Sequence, residues 1–442
     1  MAKKINISKV GNVVTVKNSA GSRLLNSVGA IFIGIAVAII CLIALGCNEG
    51  RNVRAIRAYD EFGKNLIETG SAQMNPANDG RLVAIRGSLT FSPVTDPAYR
   101  ITANSFVLQR YVEMYQWQET KKGGSTDAEV TYTYTGVWRT SPISSSNFVD
   151  KSYANKPWPS DSVFQNGYVY ADDTKLGDFN LTTDQLKDLS VDIILKIPES
   201  TPLPSGFSRS SDGQYIHNGN LSDPKSGDLR ISFRSSELTK ASMLGKQQGN
   251  AIVSYTSKNG TRIDRLFPGE RDGAQMVDQL QAENSALTWF LRILLTILVC
   301  AGLAMFLTPI QVLLSLIPFL GKYLGKATKT VAQVIGGIVG GIMSLLVIAV
   351  SWIAVRPFVA IPLLLVTAGL IVLLVRYKKS KVDNAPQPAL AAAGGGDTAN
   401  APVQSTVDQS QPASDQKKAF CPNCGGKIED GVKFCPGCGK AV

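Results

Sequence analysis

The chain has 442 residues, more than the roughly 100–200 of one ordinary domain, so it must fold as several parts. Its net charge is +11, yet residues 48–286 carry 26 basic and 28 acidic side chains, which leaves the positive excess in the tails and short loops. No large basic domain is available to bind a phosphate backbone, which argues against a nucleic-acid-binding protein.

The first element along the chain is an uncharged apolar run at residues 28–47, which follows a basic tail at residues 1–27. A helix of this length crosses about 30 Å of hydrocarbon, so the run predicts transmembrane helix 1. A cleaved signal peptide is the alternative, but its apolar region would be shorter and no small-x-small cleavage site follows. A lipoprotein site at Cys47 is disfavoured because Leu45 stands where a small residue is required.

Residues 48–286 form a large polar segment without cysteine, so a hydrophobic core rather than disulfides must hold it together. Alternating β-branched and aromatic residues at 107–118 and 130–138 predict a hairpin, and the Asn-Gly dipeptide at position 259 predicts another at 251–267. Helical spacing occurs at 51–69, 183–189 and 272–285. We therefore predict a β-rich α+β domain inserted between helices 1 and 2, with its flanking helices continuing into them.

Catalytic chemistry finds little support in this domain. His217 is the one histidine of the chain, and it lies in a polar, turn-like stretch. The sequence contains no nucleophile elbow, phosphate-binding glycine motif, multi-histidine metal site or external Cys/His pair. We therefore predict no catalytic and no cofactor-binding residues, and a protein that is not an enzyme. Carboxylates alone are the one catalytic chemistry left open.

Three further apolar runs follow the domain, at residues 287–307, 331–355 and 357–375, and they predict transmembrane helices 2, 3 and 4. Arg292 lies near the domain end of helix 2, where it either snorkels to the headgroups or forms an intramembrane site, and we favour the first. Arg356 occupies the tight turn between helices 3 and 4. The basic loop at 308–330 has an interfacial character.

The distribution of lysine and arginine predicts the orientation of the four spans. The tail at 1–27, the loop at 308–330 and the segment after residue 375 must share one side of the membrane, and all three are basic. Both termini are therefore predicted to be cytoplasmic, and residues 48–286 extracytoplasmic.

Helix 3 contains four glycines in two overlapping small-xxx-small pairs: Gly336, Gly337, Gly340 and Gly341. Glycines at this spacing allow helix backbones to approach closely. They either pack the spans of one chain together or join two copies, and we favour the first.

The C-terminal region is predicted to be a tethered metal site. Residues 376–418 are rich in Ala, Gly, Pro, Gln and Ser and predict a flexible linker. Two Cys-x-x-Cys pairs follow within 419–442, Cys421 with Cys424 and Cys435 with Cys438, a spacing typical of a zinc ribbon. Four thiolates bind one structural Zn²⁺ and leave no open position, which favours a folded docking module over redox-active pairs.

Several short motifs recur in order along residues 24–376. They are NEGR at 48–51, NDGRLV at 78–83, RYVEMYQWQET at 110–120, Trp138-Arg139, GDLRISF at 227–233 and Arg356-Pro357. This series resembles the transmembrane protein 43 family, also called LUMA. The resemblance implies one span, a large domain and three more spans, with self-association, binding to other membrane proteins and no established catalytic site. The appended ribbon departs from the animal pattern and favours a bacterial cytoplasmic membrane.

The motif residues that we single out as a possible interaction site are Glu49, Arg51, Arg110, Glu113, Tyr115, Trp117, Trp138, Arg139, Arg292 and Arg356. Those on the first predicted hairpin either line a binding surface or fix a strand pair, and alternating Tyr and Trp favour the second. The sequence as a whole favours a membrane scaffold that forms a homo-oligomer and uses the ribbon to recruit a cytoplasmic partner. A sensor that couples an external ligand to the ribbon is the alternative, and a transport protein comes third.

Overall fold

The computed structural model describes residues 6–319, 321–353 and 357–383, together with the dipeptides Ala419–Phe420 and Lys427–Ile428. The chain divides into two units, Met1–Lys381 and Val382–Val442. In the second unit the two dipeptides pair as a short antiparallel ladder. The first unit combines a helical bundle with a β-rich domain.

Two of the helices in the described part run without a break from the apolar bundle into the β-rich domain. Ser19 caps the start of the first helix, and Asp272 forms a capping box with Gln275 at the start of the third. The helices are α1 Ala20–Asn65, α2 Thr183–Leu186, α3 Gly273–Ala304, α4 Thr308–Ser315, α5 Gly321–Trp352 and α6 Pro357–Asp383. The predicted continuation of spans 1 and 2 into flanking helices is confirmed.

Three helical segments in the described part are long and apolar enough to span a membrane: Ala20–Asn65, Gly273–Ser315 and Tyr323–Trp352. The fourth predicted span falls on α6, whose apolar part, Ala360–Leu373, is shorter. The structure thus supports three of the four predicted spans by length and composition. The fourth span stays a prediction.

In the described part of the first unit, the strands form two large sheets and two small ladders. They are β1 Asn6–Val10, β2 Val13–Lys17, β3 Ile67–Glu68, β4 Leu82–Thr90, β5 Val94–Thr95, β6 Thr102–Ala103, β7 Val107–Lys122, β8 Glu129–Arg139, β9 Gly167–Tyr170, β10 Lys175–Leu176, β11 Phe179–Asn180, β12 Ile193–Ile194, β13 Ser208–Arg209, β14 Ile216–His217, β15 Leu229–Ser235, β16 Lys240–Gln248, β17 Ala251–Val253, β18 Tyr255–Thr256, β19 Arg262–Ile263 and β20 Arg265–Pro268. The predicted hairpin at 107–138 is confirmed as β7 and β8.

The first sheet has the order β1-β2-β8-β7-β15-β14-β13, with β9 and β12 pairing at its side. Beyond Met114, β7 pairs with β8 alone, and we call this extension, residues 115–138, the arm. From Met114 to the turn at Thr126 the arm is about 40 Å long, at roughly 3.3 Å per residue.

The second sheet has the order β20-β16-β17-β11-β10-β4-β3, and β16 also pairs with β4. A buried cluster that includes Phe62 of α1, Met276 of α3 and Phe267 of β20 seats both long helices on this sheet. Burial of each large apolar side chain contributes about 1.5–3 kcal/mol. This packing fixes the positions of α1 and α3 relative to the second sheet.

The N-terminal residues are part of the β-rich domain. The structure corrects the predicted tail at 1–27: β1 and β2 form a hairpin, β2 pairs with β8 from Val13↔Thr133 to Lys17↔Glu129, and α1 begins at Ala20. Polar strands cannot cross the hydrocarbon layer with their backbone groups exposed to lipid. The ladder therefore opposes the predicted placement of tail and domain on opposite sides of the membrane, which stays a prediction.

Candidate functional site: a polar layer at the domain end of the helical bundle

A buried ion pair joins three helices where they leave the apolar bundle. Glu49 on α1 is 0% exposed, and its carboxylate accepts from Nε and Nη2 of Arg292 on α3 at 2.7 and 2.6 Å. Trp352, at the end of α5, donates its indole N–H to Glu49 Oε2 at 2.5 Å. One carboxylate therefore links α1, α3 and α5.

Burial gives this ion pair a large effect on stability. The two parallel N–H···O bonds are the bidentate geometry in which arginine and carboxylate interact most strongly. Removing one partner of a buried pair leaves an uncompensated charge and costs about 3–5 kcal/mol. The Arg292 side chain is 12% exposed and turned towards Glu49, and its position relative to the membrane stays a prediction.

A second network surrounds Arg51 on the next face of α1. Arg51 donates from Nη1 to Asn284 Oδ1 at 2.7 Å and from Nη2 to Thr288 Oγ1 at 2.8 Å and Asn48 Oδ1 at 3.2 Å. Asn284 donates in turn to Asn52 Oδ1 at 2.7 Å. Arg51 Nε is buried and has no acceptor among the described residues. These partners are all neutral, so the layer holds two guanidinium groups and one carboxylate.

Helical spacing explains why these polar groups meet. Asn284, Thr288 and Arg292 are four residues apart on α3, which places them on one face. Asn284 meets Asn52 of α1, and Thr288 and Arg292 meet the adjacent residues Asn48 and Glu49 one turn earlier, because α1 runs antiparallel beside α3. We call the whole set the polar layer: Asn48, Glu49, Arg51, Asn52, Asn284, Thr288, Arg292 and Trp352.

A cavity of about 320 Å³ opens beside the polar layer. Its lining comes from α1, α3 and the end of α5 and includes Asn52, Asn284, Arg292 and Trp352 of the layer. Trp289 stands at its edge, 61% exposed, with its ring 4.8 Å from the Arg292 guanidinium. The cavity thus combines aromatic faces, amides and a guanidinium.

The hairpin motif residues form a separate cluster on one face of the first sheet. Arg230 of β15 donates from Nε to Glu113 Oε2 at 2.7 Å and stacks 4.5 Å from the Trp138 ring. Tyr115 packs edge-on against both Trp117 and Trp138. These contacts join β15, β7 and β8 side by side, which agrees with the strand-fixing alternative.

Two motif residues belong to neither cluster. Arg110 points to the other face of the sheet, where its Nη1 lies 3.3 Å from Asp96 Oδ1 and its Nε donates to Gln165 O at 3.0 Å. Arg139 donates to Gln118 Oε1 at 2.8 Å on the exposed side of the arm. The structure therefore divides the motif residues among several places.

The four glycines of α5 divide into two faces. A Cβ on Gly336 would lie 2.6 Å from Cys300 O, and a Cβ on Gly340 would lie 2.9 Å from Cys300 Cα. A Cβ on Gly337 or Gly341 would meet no described atom within 4 Å. Gly336 and Gly340 thus pack α5 against α3 within one chain, as the favoured alternative predicts.

A second contact between the helices and the domain lies at the other end of the bundle, and the sequence analysis missed it. Arg23, 8% exposed, donates from Nε to Thr126 O at the tip of the arm and from Nη2 to Ser315 Oγ of α4, at 2.9 and 2.6 Å. Lys329 of α5 lies 3.6 Å from Asp127. The arm therefore contacts α1 and α5 at this end, and Arg23 also ties α1 to α4.

The N-terminal hairpin is held to the domain by charge and aromatic packing. Lys9 Nζ lies 2.6 Å from Asp150 Oδ2, and this hydrogen bond from Lys9 is the main reason that the pKa of Asp150 falls to about 2. Nearby, burial and then a hydrogen bond to Glu119 raise the pKa of Tyr134 to about 12. The Val-Gly-Asn-Val turn at 10–13, with Gly11 at φ +57°, is the signal that could have predicted this hairpin.

Five of the predicted site residues fall outside the described residues: Arg356, Cys421, Cys424, Cys435 and Cys438. Within the described part, no group of three or more His, Cys, Asp and Glu side chains is placed to hold a metal ion. The zinc prediction therefore depends on the four thiolates of the C-terminal unit, which suit a closed tetrahedral site.

Comparison with known proteins decides the family. The family model described as transmembrane protein 43 matches residues 114–357, more than half of the chain. This chain belongs to the transmembrane protein 43 family. The zinc-ribbon domain model matches residues 420–442.

Curated relatives in this family come from mammals and insects. Rat transmembrane protein 43 is 28% identical over 61% of this chain and 71% of its own length, and the human protein is equally similar. The Drosophila melanogaster homolog is 29% identical over 73% of this chain and 88% of its own length. These relatives are named as membrane proteins rather than as enzymes. No solved structure matches the chain.

Proposed function

We propose that this member of the family is a non-catalytic, multi-pass membrane scaffold that organises or assembles membrane protein complexes. The polar layer carries the proposal, because it locks α1, α3 and α5 together where α1 and α3 continue into the β-rich domain. A rigid connection of this kind suits a protein that holds partners at fixed positions. The partners are the lipid bilayer, other membrane proteins and further copies of the chain.

The ribbon supplies the cytoplasmic part of this proposal. Cys421, Cys424, Cys435 and Cys438 hold one structural Zn²⁺, and the match of the zinc-ribbon model over 420–442 supports this assignment. A small domain of this kind, at the end of a predicted linker, recruits a cytoplasmic protein partner. Nucleic acid is not an expected partner.

We place the protein in a bacterial cytoplasmic membrane, with the basic helix ends at Arg23, Lys326 and Lys329 on the cytoplasmic side. The arm tip contacts two of these residues, Arg23 and Lys329. The side of the membrane on which the arm lies therefore needs a direct test. Thr15 and Thr131 are register partners in the β2–β8 ladder. A disulfide between cysteines at these positions, formed in intact membranes, would place the N-terminal hairpin and the arm together.

The matched control is the pair Thr15→Cys and Thr135→Cys, which is out of register by four residues, or about 13 Å. Both pairs are placed in a chain whose exposed Cys47 is replaced by serine. Cross-linking of the first pair alone supports the ladder. Absence of cross-linking in both pairs, with the protein folded, would restore the predicted separation of tail and domain.

The scaffold proposal is tested by cross-linking in cells followed by purification in mild detergent. Intact protein is compared with a variant that carries serine at the four ribbon cysteines, and the control variant is Cys47→Ser, an exposed thiol outside the ribbon. We expect a defined assembly with membrane partners from all three proteins, and loss of soluble partners from the ribbon variant alone. A lone monomer without companions would refute the scaffold.

A sensor is the second candidate, and the continuity of α3 favours it. The helix begins at the Asp272 cap in the domain and reaches Ala304 in the bundle without interruption. A ligand that moves the domain would therefore move the helix. Ligand-dependent change in protease cleavage between the bundle and the ribbon would support the sensor over the scaffold.

A further inference from the structure

The cavity beside the polar layer lies at the height of lipid headgroups. Below it, α3 exposes Phe290 and Ile293, which begin its apolar surface, and Trp289 stands at the cavity edge. Tryptophan is enriched where the hydrocarbon meets the headgroup region. A phospholipid of the surrounding bilayer can therefore enter the cavity with its headgroup while its chains stay in the membrane.

The Arg292 end of the cavity favours an anion, while Asp60 at the other end of the lining disfavours one. Arg292 lines the cavity, and its bonds to Glu49 use Nε and Nη2 of the guanidinium. Arg51, two residues beyond Glu49 on α1, donates to neutral partners. Glu49 balances one of these two cations, so the described layer keeps an excess of one positive charge. A phosphate monoanion at the edge of Arg292 would bring a second negative charge to this layer.

The remaining lining is suited to hydroxyl groups. Asn52 and Asn284 are 5% and 6% exposed, and each amide carries both a donor and an acceptor. Ser285 and Gln281 add polar groups on the same face of α3, and Asp60 stands at the far rim. From Arg292 to Gln281 the cavity extends about 16 Å along α3, at 1.5 Å per residue. This length accommodates a phosphate followed by a short polyol.

We propose that the cavity binds the headgroup of an anionic phospholipid that bears hydroxyl groups, of the phosphatidylglycerol type. The phosphate contacts Arg292 beside Trp289, and the glycerol hydroxyls bond the amides of Asn52 and Asn284. Glu49 keeps its bonds to Arg292, so lipid binding adds a partner to the ion pair and does not replace one. Asp60 at the far rim disfavours headgroups that carry additional negative charge.

The test uses the full-length protein, purified from vesicles that contain equal amounts of phosphatidylglycerol and phosphatidylethanolamine. Native mass spectrometry counts the lipids that remain bound. Ser285→Trp fills the cavity from an exposed position on α3 and leaves the hydrogen bonds of the polar layer intact, and Ala286→Trp is the matched control on the next residue, outside the lining. Both variants are first checked for an unchanged melting temperature.

We expect the wild type and Ala286→Trp to retain phosphatidylglycerol over phosphatidylethanolamine by about tenfold, equivalent to 1.4 kcal/mol, and Ser285→Trp to lose this preference. Equal retention of the two lipids by the wild type, or an unchanged preference in Ser285→Trp, would overturn the proposal. Soluble glycerol phosphate, added in detergent without lipid, distinguishes the source: competition at equal concentration would assign the site to a free phosphate ester. The lipid preference does not depend on the ribbon or its partners. Failure of the lipid proposal can therefore be distinguished from failure of the scaffold proposal.

Discussion

The β-rich domain meets the helical bundle at two ends, and the two contacts differ in kind. At the polar layer, a carboxylate with no exposed surface is bonded by Arg292 and Trp352. At the arm tip, Arg23 bonds a backbone carbonyl and a serine hydroxyl, and the neighbouring Lys329 is half exposed. Breaking the first contact leaves a buried carboxylate without its cation, whereas the acceptors of Arg23 at the second are neutral and the Lys329–Asp127 pair is partly exposed to water. We therefore expect the domain to be fixed at the polar layer and able to release at the arm.

The largest effect is expected at Glu49. Glu49→Ala leaves Arg292 buried without its carboxylate and should lower the free energy of unfolding by about 3–5 kcal/mol, as measured by thermal or denaturant unfolding in detergent. Glu129→Ala is the control, because Glu129 is an exposed partner of Lys17 and should change stability by less than about 0.5 kcal/mol. Equal losses of unfolding free energy in the two variants would show that the buried ion pair stabilises the protein no more than an exposed one.

Substitutions of the α5 glycines should change stability by less, and in opposite directions on the two faces of the helix. Gly340→Ala brings a methyl group against the Cys300 backbone and should destabilise the protein by about 1–3 kcal/mol, as overpacking does. Gly341→Ala meets open space and should stabilise the helix by about 0.5–1 kcal/mol. Unfolding curves of both variants measure the difference. Destabilisation by Gly341→Ala would reveal a helix packed on that face.

At the arm tip we expect a loss of about 0.5–1.5 kcal/mol per hydrogen bond removed. Arg23→Ala should therefore raise hydrogen exchange in the turn at 123–128 and leave exchange around Glu49 unchanged. Ser22→Ala serves as the control in the same turn of α1, since its side chain takes part in neither contact. Faster exchange at both ends of the bundle would contradict the independence of the two contacts.

The smallest effect is the pH response of the N-terminal hairpin. The pKa of Asp150 is lowered from 3.8 to about 2 in the folded protein, so its contribution is complete above the unfolded value and is lost as the pH falls from 4 to 2. Hydrogen exchange in β1 and β2 should therefore rise across this window. In Asp150→Asn the hairpin should exchange faster at neutral pH and show a weaker pH response. An identical pH profile in the variant would assign the response to other carboxylates.

The helices were predictable because their signals are local. The apolar run at 28–47 and the helical spacing at 51–69 and 272–285 lie within single elements, so composition and period suffice to place them. The β7–β8 hairpin was predictable for the same reason. The Asn-Gly turn at 259 formed, with Gly260 at positive φ, but the strands that pair across it, Tyr255–Thr256 and Arg262–Ile263, are shorter than the predicted hairpin at 251–267.

The polar layer was harder to predict because its partners are far apart in sequence. Glu49 and Arg292 are separated by 243 residues, and Glu49 and Trp352 by 303. An arginine at the end of an apolar run, considered without its partners, is better explained by snorkelling. The N-terminal hairpin was hard to predict because the basic charge of residues 1–27 is equally typical of a cytoplasmic tail, although the alternation around Gly11 also predicts strands.

Because α1 is continuous, a tilt of its membrane-spanning part also moves its part within the β-rich domain. At 46 residues α1 is about 69 Å long, and its part beyond Glu49 extends about 24 Å into the domain. A helix in a bilayer of changed thickness responds by tilting. A tilt of about 10° about Glu49 would carry the Asn65 end sideways by about 4 Å, on simple geometry from the helical rise. Membrane thickness and sheet position are therefore mechanically coupled in this fold.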